Sequence, residues 1–177
     1  MSIPTESRDR LVAAGEITHL FISPGHNFYG RHGSAPLDHP TVGVQEVECV
    51  AGRGLRGDRF FDYRPDYKGQ ITFVAQETIE EVWTDLAIAT DRRDISATRR
   101  NVVTRGIDLD VLIGCEFEIG GVRFLGSEEC RPCAWMDQAI GAGAERRLRG
   151  RGGLRARIVA DGVPRVGPIA VRRWRGH

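Results

Sequence analysis

Residues 116–133 read EFEIGGVRFLGSEECRPC and predict a β-hairpin that leads directly into a loop with two cysteines. Strand-like runs lie on both sides of Gly120-Gly121, and a two-glycine connection favours the tight turn of a hairpin. We therefore expect strands over 116–119 and 122–126.

The loop after this hairpin, Cys130-Arg131-Pro132-Cys133, carries the residues best suited to chemistry. Pro132 disfavours helical backbone angles at the residue before it. Cys133 should therefore lie where backbone N–H groups and guanidinium charge favour its thiolate. A segment with helical character follows over 134–148. These features predict a site for sulfur chemistry or for a soft metal.

Length and composition favour a single cytoplasmic domain. With 177 residues, 41% hydrophobic and 28% charged, the chain can bury one core and is too short for two. We expect a flexible N-terminus over 1–15, one domain over 16–171 and a basic C-terminal tail over 172–177. The sequence has neither a signal pattern nor an apolar run of about 18 residues, so it predicts neither secretion nor a membrane span.

The remaining elements make the domain β-rich with a few helices. Further strands are expected over 16–23, 42–50, 70–75, 99–104, 155–160 and 166–171. The last two should pair around Asp161-Gly162 and close the sheet. The best helix covers 77–88, because four apolar residues fall at helical spacing: Ile79, Val82, Trp83 and Leu86. A short helical turn is expected over 108–113.

Each of the four cysteines has to be judged separately, because a reducing compartment disfavours a disulfide framework. Cys49 and Cys115 adjoin strand-like runs and are expected to be packing residues. A structural zinc ion needs four donors. The five histidines show no spacing that completes such a site with Cys130 and Cys133.

Positive charge is concentrated toward the C-terminus, although the net charge is only +1. Residues 145–177 carry ten arginines against one Glu and one Asp. Arginine suits phosphate and carboxylate ligands, and the alternative is a solvated basic face. Nucleic acid is not a favoured partner, since no aromatic stacking platform interleaves these basic residues.

Two loops are candidates for ligand binding. Residues 24–40 form a long polar loop that is either a lid or binding loop, or a surface excursion. Its glycines and histidines are Gly25, Gly30, Gly33, His26, His32 and His39. Residues 52–60, GRGLRGDRF, form either a turn or an anion-binding loop, because glycines allow backbone N–H groups and arginines to approach an anion. Further along, Arg99 and Asn101 should face one pocket while Arg100 points away, because side chains alternate along a strand.

Taken in order, five stretches resemble the MOSC family, a domain named for its place at the C-terminus of molybdenum-cofactor sulfurases. They are GRGLRGDRF (52–60), QITFVAQE (70–77), RRNVVTRGIDLDVLIGCEFEIGGVRF (99–124), CRPC (130–133) and GRGGLRARIVADGVPRVG (150–167). The resemblance spans about 16–171. It implies a mostly β, barrel-like fold of the MOSC and pyruvate-kinase-barrel type, with a few peripheral helices.

The resemblance also implies roles for particular residues. Cys133 matches the family's signature cysteine, which ligates molybdenum of the pterin cofactor in members that reduce N-hydroxylated compounds. In the sulfurase context this thiol is implied to carry a persulfide received from a pyridoxal-phosphate-dependent cysteine desulfurase. Asp58, Arg59, Arg99 and Asn101 match positions associated with the cofactor, and Arg59 is the implied phosphate contact.

The residues themselves suit such a ligand. The pterin cofactor has a phosphate and a polar heterocycle, for which Arg59, Arg99, Asn101 and Arg151 are candidate partners. Cys130 is either a resolving thiol for Cys133 or a packing residue. An enzyme of this type would act on a small molecule. It would take electrons from a separate redox partner, since no Fe–S, haem or flavin motif is visible.

The chain departs from the family pattern in two places. Phe60 stands where a histidine is common, which changes the polar chemistry expected of the 52–60 loop. Gly167-Pro168 replaces a usual Gly-Asp near the end, where only a turn is expected to change.

Overall fold

The hairpin at 116–133 belongs to a closed β-barrel in this computed structural model, which describes residues 9–28 and 35–174. Ten strands occur within these ranges. They are β1 (Asp9–Ile22), β2 (Val42–Val44), β3 (Cys49–Val50), β4 (Gly54–Leu55), β5 (Ile71–Ala75), β6 (Val102–Arg105), β7 (Glu116–Ile119), β8 (Val122–Glu129), β9 (Leu154–Ile158) and β10 (Gly167–Trp174). The α-helices found there are α1 (Gln76–Asp85), α2 (Trp135–Ala139) and α3 (Ala144–Leu148).

Seven of the strands form the barrel. Their order is β10-β7-β8-β9-β5-β6-β1, and β10 also pairs with β1, which closes the cylinder. Strand β2 extends the sheet beyond β1, and β3 and β4 form a separate two-stranded ribbon. The pair β5–β6 is parallel, whereas the other barrel pairs are antiparallel. The predicted mostly β, barrel-like fold with peripheral helices is confirmed.

Side chains alternate between the two faces of the barrel wall. Phe73 and Val102 belong to the main core, whereas their neighbours Val74 and Val103 pack against the helices. This is the period-two pattern of a sheet buried on both faces. In the main core, the rings of Phe73, Phe117 and Phe124 lie with centroids 5.4–6.0 Å apart.

The central hairpin forms as predicted. Gly120 and Gly121 have φ values of 59° and 78°, backbone angles that a side chain disfavours, and Ile119 pairs directly with Val122. Strand β8 continues to Glu129, beyond the predicted end at residue 126. The longer strand delivers Cys130 straight from the barrel wall.

The helices cover the outer face of β5 and β6. The predicted apolar stripe on α1 is confirmed, with Ile79, Val82 and Trp83 buried. The helix stops at Asp85 rather than 88, because Ala87 adopts a left-handed conformation. The expected helical segment 134–148 is divided into α2 and α3, with Gly141 and Gly143 at positive φ between them.

The pairing predicted for the last two strands is wrong. Strand β9 lies between β5 and β8, and β10 lies between β1 and β7. The Asp161-Gly162 turn instead reaches β3, where the Cys49 N–H donates to the Gly162 carbonyl at 2.8 Å. This contact turns the chain away from β9, so that β10 can close the barrel.

The structure differs from the predicted boundaries in three further places. Strand β1 begins at Asp9 and pairs with β10 as far as Trp174, so neither 9–15 nor 172–174 is a free tail. The strand expected over 42–50 is split into β2 and β3. Across the part of the chain that the structure describes, no helix is long and apolar enough to cross a membrane.

Candidate functional site

A cavity of about 300 Å³ opens where the segments after β1 and β8 meet the starts of β5, β6 and β9. Both cysteines of the Cys130–Cys133 loop border it. The described lining residues are His26, Asn27, Phe28, Arg59, Phe60, Tyr67, Thr72, Thr98, Arg99, Arg100, Cys130, Arg131, Cys133, Trp135, Met136 and Arg155. Its volume falls at the lower end of the range of about 300–1,000 Å³ typical of ligand sites.

The cysteine loop is fixed through its backbone. The Cys130 N–H donates to the Gly153 carbonyl at 2.7 Å, and the Cys130 carbonyl accepts from Arg100 Nη2 at 3.0 Å. The Cys133 carbonyl accepts from the Met136 N–H at 2.9 Å, in the first turn of α2. Cys130 is buried and Cys133 is half-buried at the cavity. The loop therefore leaves the Cys133 side chain accessible to a ligand.

Arginine dominates the charge of the cavity. Five guanidinium groups line it, and the described lining residues include neither Asp nor Glu. Arg100 is structural, because it donates to the carbonyls of Thr98, Cys130 and Gly152. The other four are Arg59, Arg99, Arg131 and Arg155. Such a surface is suited to an anion.

Arg59 and Arg99 meet on one side of the cavity, and their charges repel. Burial, followed by the charge of Arg59, lowers the pKa of Arg99 to about 10. Burial also lowers the pKa of Arg59, against the opposing effect of Asp58. Arg99 Nη2 donates to the Gly25 carbonyl at 2.7 Å and to Ser23 Oγ at 3.0 Å, which are neutral partners. An anion between the two guanidinium groups would relieve this repulsion.

Asp58 and Asn101 lie buried beneath these arginines. Asp58 Oδ2 accepts from the Ser23 N–H at 3.1 Å and from Asn101 Nδ2 at 3.2 Å, and it lies 3.5 Å from Arg59. Asn101 Oδ1 accepts from both the N–H and the hydroxyl of Thr72. These two residues hold the cavity wall in place and are not among its lining residues in the described chain.

The orientation predicted for residues 99–101 does not hold. Arg99 ends a short 3-10 helix (Ile95–Thr98) with φ 55°, in the left-handed region, and β6 begins only at Val102. Strand alternation therefore does not apply to these residues. Arg99 and Arg100 both reach the cavity, and Asn101 supports it from behind.

Arg151 lies apart from the other predicted site residues. Its guanidinium pairs with Glu81 on α1 and donates to the Arg147 carbonyl. It lines two other cavities, but it is not one of the described residues around Cys133.

Several lining residues were not found from the sequence. Arg155 lines the cavity together with Cys130, and its guanidinium donates to Glu128 Oε1 at 3.3 Å. Burial would lower the Arg155 pKa, but the Cys130 thiol and other neighbours raise it overall. Phe60 stacks on Tyr67 with centroids 5.0 Å apart, and Arg59 lies 4.8 Å above the Phe60 ring. The alternation of arginines and aromatic residues over 53–68 was the available signal for this wall.

The polar 24–40 loop contributes His26, Asn27 and Phe28 to the cavity. Asn27 and His39 hold its two sides together, since Asn27 Nδ2 donates to the His39 carbonyl at 2.9 Å and the His39 N–H donates back at 2.7 Å. Gly30, His32 and Gly33 lie outside the described residues.

The other two cysteines have different surroundings. Cys49 is fully buried, and burial raises the pKa of its thiol to about 12, so its packing role is confirmed. Cys115 is only half-buried, with Arg173 Nη2 2.6 Å from its sulfur. Within the described ranges, no three His, Cys, Asp or Glu side chains are grouped as a metal site.

At least five of the nine described C-terminal arginines pair with carboxylates. Arg155 is the one that borders the cavity among those described. The ion pairs of this region are Arg147–Asp85, Arg149–Glu145, Arg151–Glu81, Arg155–Glu128 and Arg165–Glu46. Most of these side chains are well exposed, in agreement with the alternative of a solvated basic face.

Over its described residues, the chain is a closed β-barrel protein whose cavity is lined by two cysteines and five arginines. The profile of the MOSC domain matches residues 41–172, so the chain belongs to the MOSC domain family. A search of curated proteins found no match.

Solved structures show the same fold at low sequence identity. The YuaD protein from Bacillus subtilis is 18% identical, with a TM-score of 0.68 over 92% of this chain and 97% of that one. YiiM from Geobacillus stearothermophilus is 14% identical, with a TM-score of 0.60 over 89% and 74% of the two chains. YiiM from Escherichia coli is 15% identical, with a TM-score of 0.60 over 84% and 68%.

Proposed function

We propose that the cavity binds a molybdenum-pterin cofactor and that the Cys133 thiolate is the protein ligand of the metal. One observation carries this proposal. An accessible thiol shares a cavity with five arginines, and no carboxylate is found among the described lining residues. Thiolate is the soft ligand that molybdenum favours, and guanidinium groups suit the phosphate of the pterin. The donor set therefore fits this cofactor.

Each residue has a defined part in this proposal. Arg59 and Arg99 would hold the phosphate, because they are crowded cations whose nearest acid, Asp58, already has several donors. Asp58 and Asn101 keep both arginines in position. Phe60 and Tyr67 form an apolar wall on which a planar ring can pack.

When bound, this cofactor supplies two-electron transfer of an oxygen atom. The proposed reaction is the reduction of a small N-hydroxylated compound, with electrons from a separate redox protein. The protein's own residues would position the substrate beside Cys133 and keep bulk water away from it. The aromatic residues Phe28 and Trp135, whose rings lie 6.1 Å apart at the cavity, are placed for this role.

The experiment is metal and pterin analysis of protein made in a molybdenum-replete host. We expect molybdenum and pterin in equal amounts in the wild type and their loss in Cys133→Ser. Cys115→Ser is the matched control, because it removes a half-buried thiol that lies outside this cavity. Wild-type protein without molybdenum, or Cys133→Ser that retains it, would contradict the proposal.

A second candidate is a sulfur carrier. The supporting observation is that Cys130 lines the same cavity as Cys133, three residues away. In this role the Cys133 thiolate takes the sulfane sulfur from a persulfide on a cysteine desulfurase, whose own cysteine leaves as a thiolate. The pyridoxal phosphate belongs to that partner. Cyanolysis after incubation with the desulfurase and cysteine would release thiocyanate from the wild type and from Cys115→Ser but not from Cys133→Ser.

A further inference from the structure

His26 lies in the wall of the cavity beside the arginine pair. Its ring meets the Phe60 ring edge-on, with centroids 4.9 Å apart, and lies 6.0 Å from the Tyr63 ring. The histidine borders the same space as Cys133, Arg59 and Arg99. It therefore touches any ligand that fills this part of the cavity.

The charges around His26 favour its neutral form. Burial lowers its pKa below the ordinary 6.5, and the charges of Arg59 and Arg99 lower it further. Asp58 acts in the opposite direction, and His39 adds a small lowering effect. A bound anion would offset the two guanidinium charges and raise the pKa again. Binding of an anion and binding of a proton are thus coupled at this residue.

We propose that His26 takes up a proton when an anion binds between Arg59 and Arg99, and that it gives this proton to the oxygen leaving the substrate. The second part rests on the proposed reductase function. The first part concerns only the cavity and an anion.

The proposed reaction needs protons. Reduction of a hydroxylamine, R–NHOH + 2 H⁺ + 2 e⁻ → R–NH₂ + H₂O, breaks the N–O bond and releases the oxygen as water. The separate redox protein supplies both electrons. His26 supplies one proton to the departing oxygen, and solvent supplies the second.

Other described lining groups are poorly suited to this task. The arginines stay protonated at neutral pH, since even the lowered pKa of Arg99 is about 10. Burial raises the pKa of Tyr67 above its usual value. Cys133 is assigned to the metal. Histidine is the side chain whose ordinary pKa lies between pH 5 and 8, and His26 is the one histidine among the described lining residues.

Sulfate is the appropriate probe, because it does not titrate between pH 5 and 8. Its binding to metal-free protein is measured by calorimetry in buffers of different ionisation enthalpy, which reports the protons taken up. We expect proton uptake by the wild type and tighter binding as the pH falls, by about tenfold for each unit by which sulfate raises the His26 pKa.

The variant His26→Gln should bind sulfate with the wild-type affinity measured at pH 8, without proton uptake and without pH dependence. His26→Asn serves as a second variant, and thermal unfolding shows that each is folded. The control is His19→Gln, which changes an exposed histidine that is not a described lining residue and should behave as wild type. Uptake that persists in both His26 variants, or wild-type protein that neither binds sulfate nor takes up protons, would overturn the inference.

The two proposals fail in different ways. His26→Gln should keep the molybdenum content of the wild type, because His26 is not assigned to the metal. If His26→Gln has the wild-type molybdenum content and still takes up protons with sulfate, only the role of His26 is contradicted. If the wild-type protein takes up protons with sulfate but never acquires molybdenum, the reductase function is contradicted. The proton-coupled anion site at His26 is then retained.

Discussion

The side-chain amide of Asn101 donates to the carboxylate of Asp58 at 3.2 Å, and both side chains are buried beneath the cavity. Through this pair the segment before β6 is connected to the glycine-rich loop and, by the Ser23 N–H, to the end of β1. The placement of Arg59 and Arg99 depends on this connection. Asn101 is therefore a supporting residue, and the loss of its side chain should lower the free energy of unfolding.

Asn101→Ala should lower the free energy of unfolding by about 2–4 kcal/mol, because Thr72 and Asp58 would lose buried partners. Urea unfolding followed by circular dichroism measures this change. Gln138→Ala, at an exposed helical position, should stay within about 0.5 kcal/mol of the wild type. Equal effects of the two substitutions would show that the buried connection contributes little.

Arg59→Gln should weaken sulfate binding by about tenfold or more, since a charge-assisted contact is lost from a confined site. The control is Arg53→Gln, because Arg53 belongs to the same loop but is exposed and paired with Asp62. Calorimetric titration at fixed pH and salt compares the two variants. If Arg53→Gln weakens binding as much as Arg59→Gln, the anion binds elsewhere on the loop.

The four thiols should react at different rates with iodoacetamide at pH 8. Cys133 and Cys115 are half-buried and should be labelled first. Cys49 should be protected by its burial and by a pKa of about 12, which keeps its thiol protonated at this pH. Peptide mapping by mass spectrometry gives the individual rates. Native Cys49 that reacts as fast as Cys133 would be inconsistent with the packed core described above.

Gly153→Ala should destabilise the fold by about 3 kcal/mol or more. The added Cβ would lie 2.0 Å from the Phe73 carbonyl oxygen, and the residue has φ +102°. Gly150→Ala is the matched comparison, because Gly150 has φ +77° but open space around it, so only the backbone cost of about 1–2 kcal/mol applies. Similar midpoints in urea for both variants would contradict the proposed close approach.

Local patterns predicted the local structure well. The Gly120-Gly121 hairpin and the stripe on α1 depend on residues close in sequence, which periodicity and turn preferences report directly. The position of the cysteine loop directly after the hairpin was predicted for the same reason, since Cys130 follows the last residue of β8.

Long-range features could not be found in this way. The partners of β9 and β10 were assigned wrongly because strand pairing is decided by packing across the whole barrel. The left-handed backbone at Arg99 changed which side chains reach the cavity. His26 and Arg155 come from distant parts of the chain but line the same cavity as Cys133, and a single sequence does not reveal such an arrangement.

Strand β10 is hydrogen-bonded on both sides, to β1 and to β7. During synthesis the barrel therefore stays open until residues 167–174 have left the ribosome. Until then, the backbone groups of β1 and β7 that pair with β10 have no partner. Such open edges are where chains aggregate with one another. A nonsense mutation shortly before Gly167 should thus yield an insoluble product, even though every residue around Cys133 would be present.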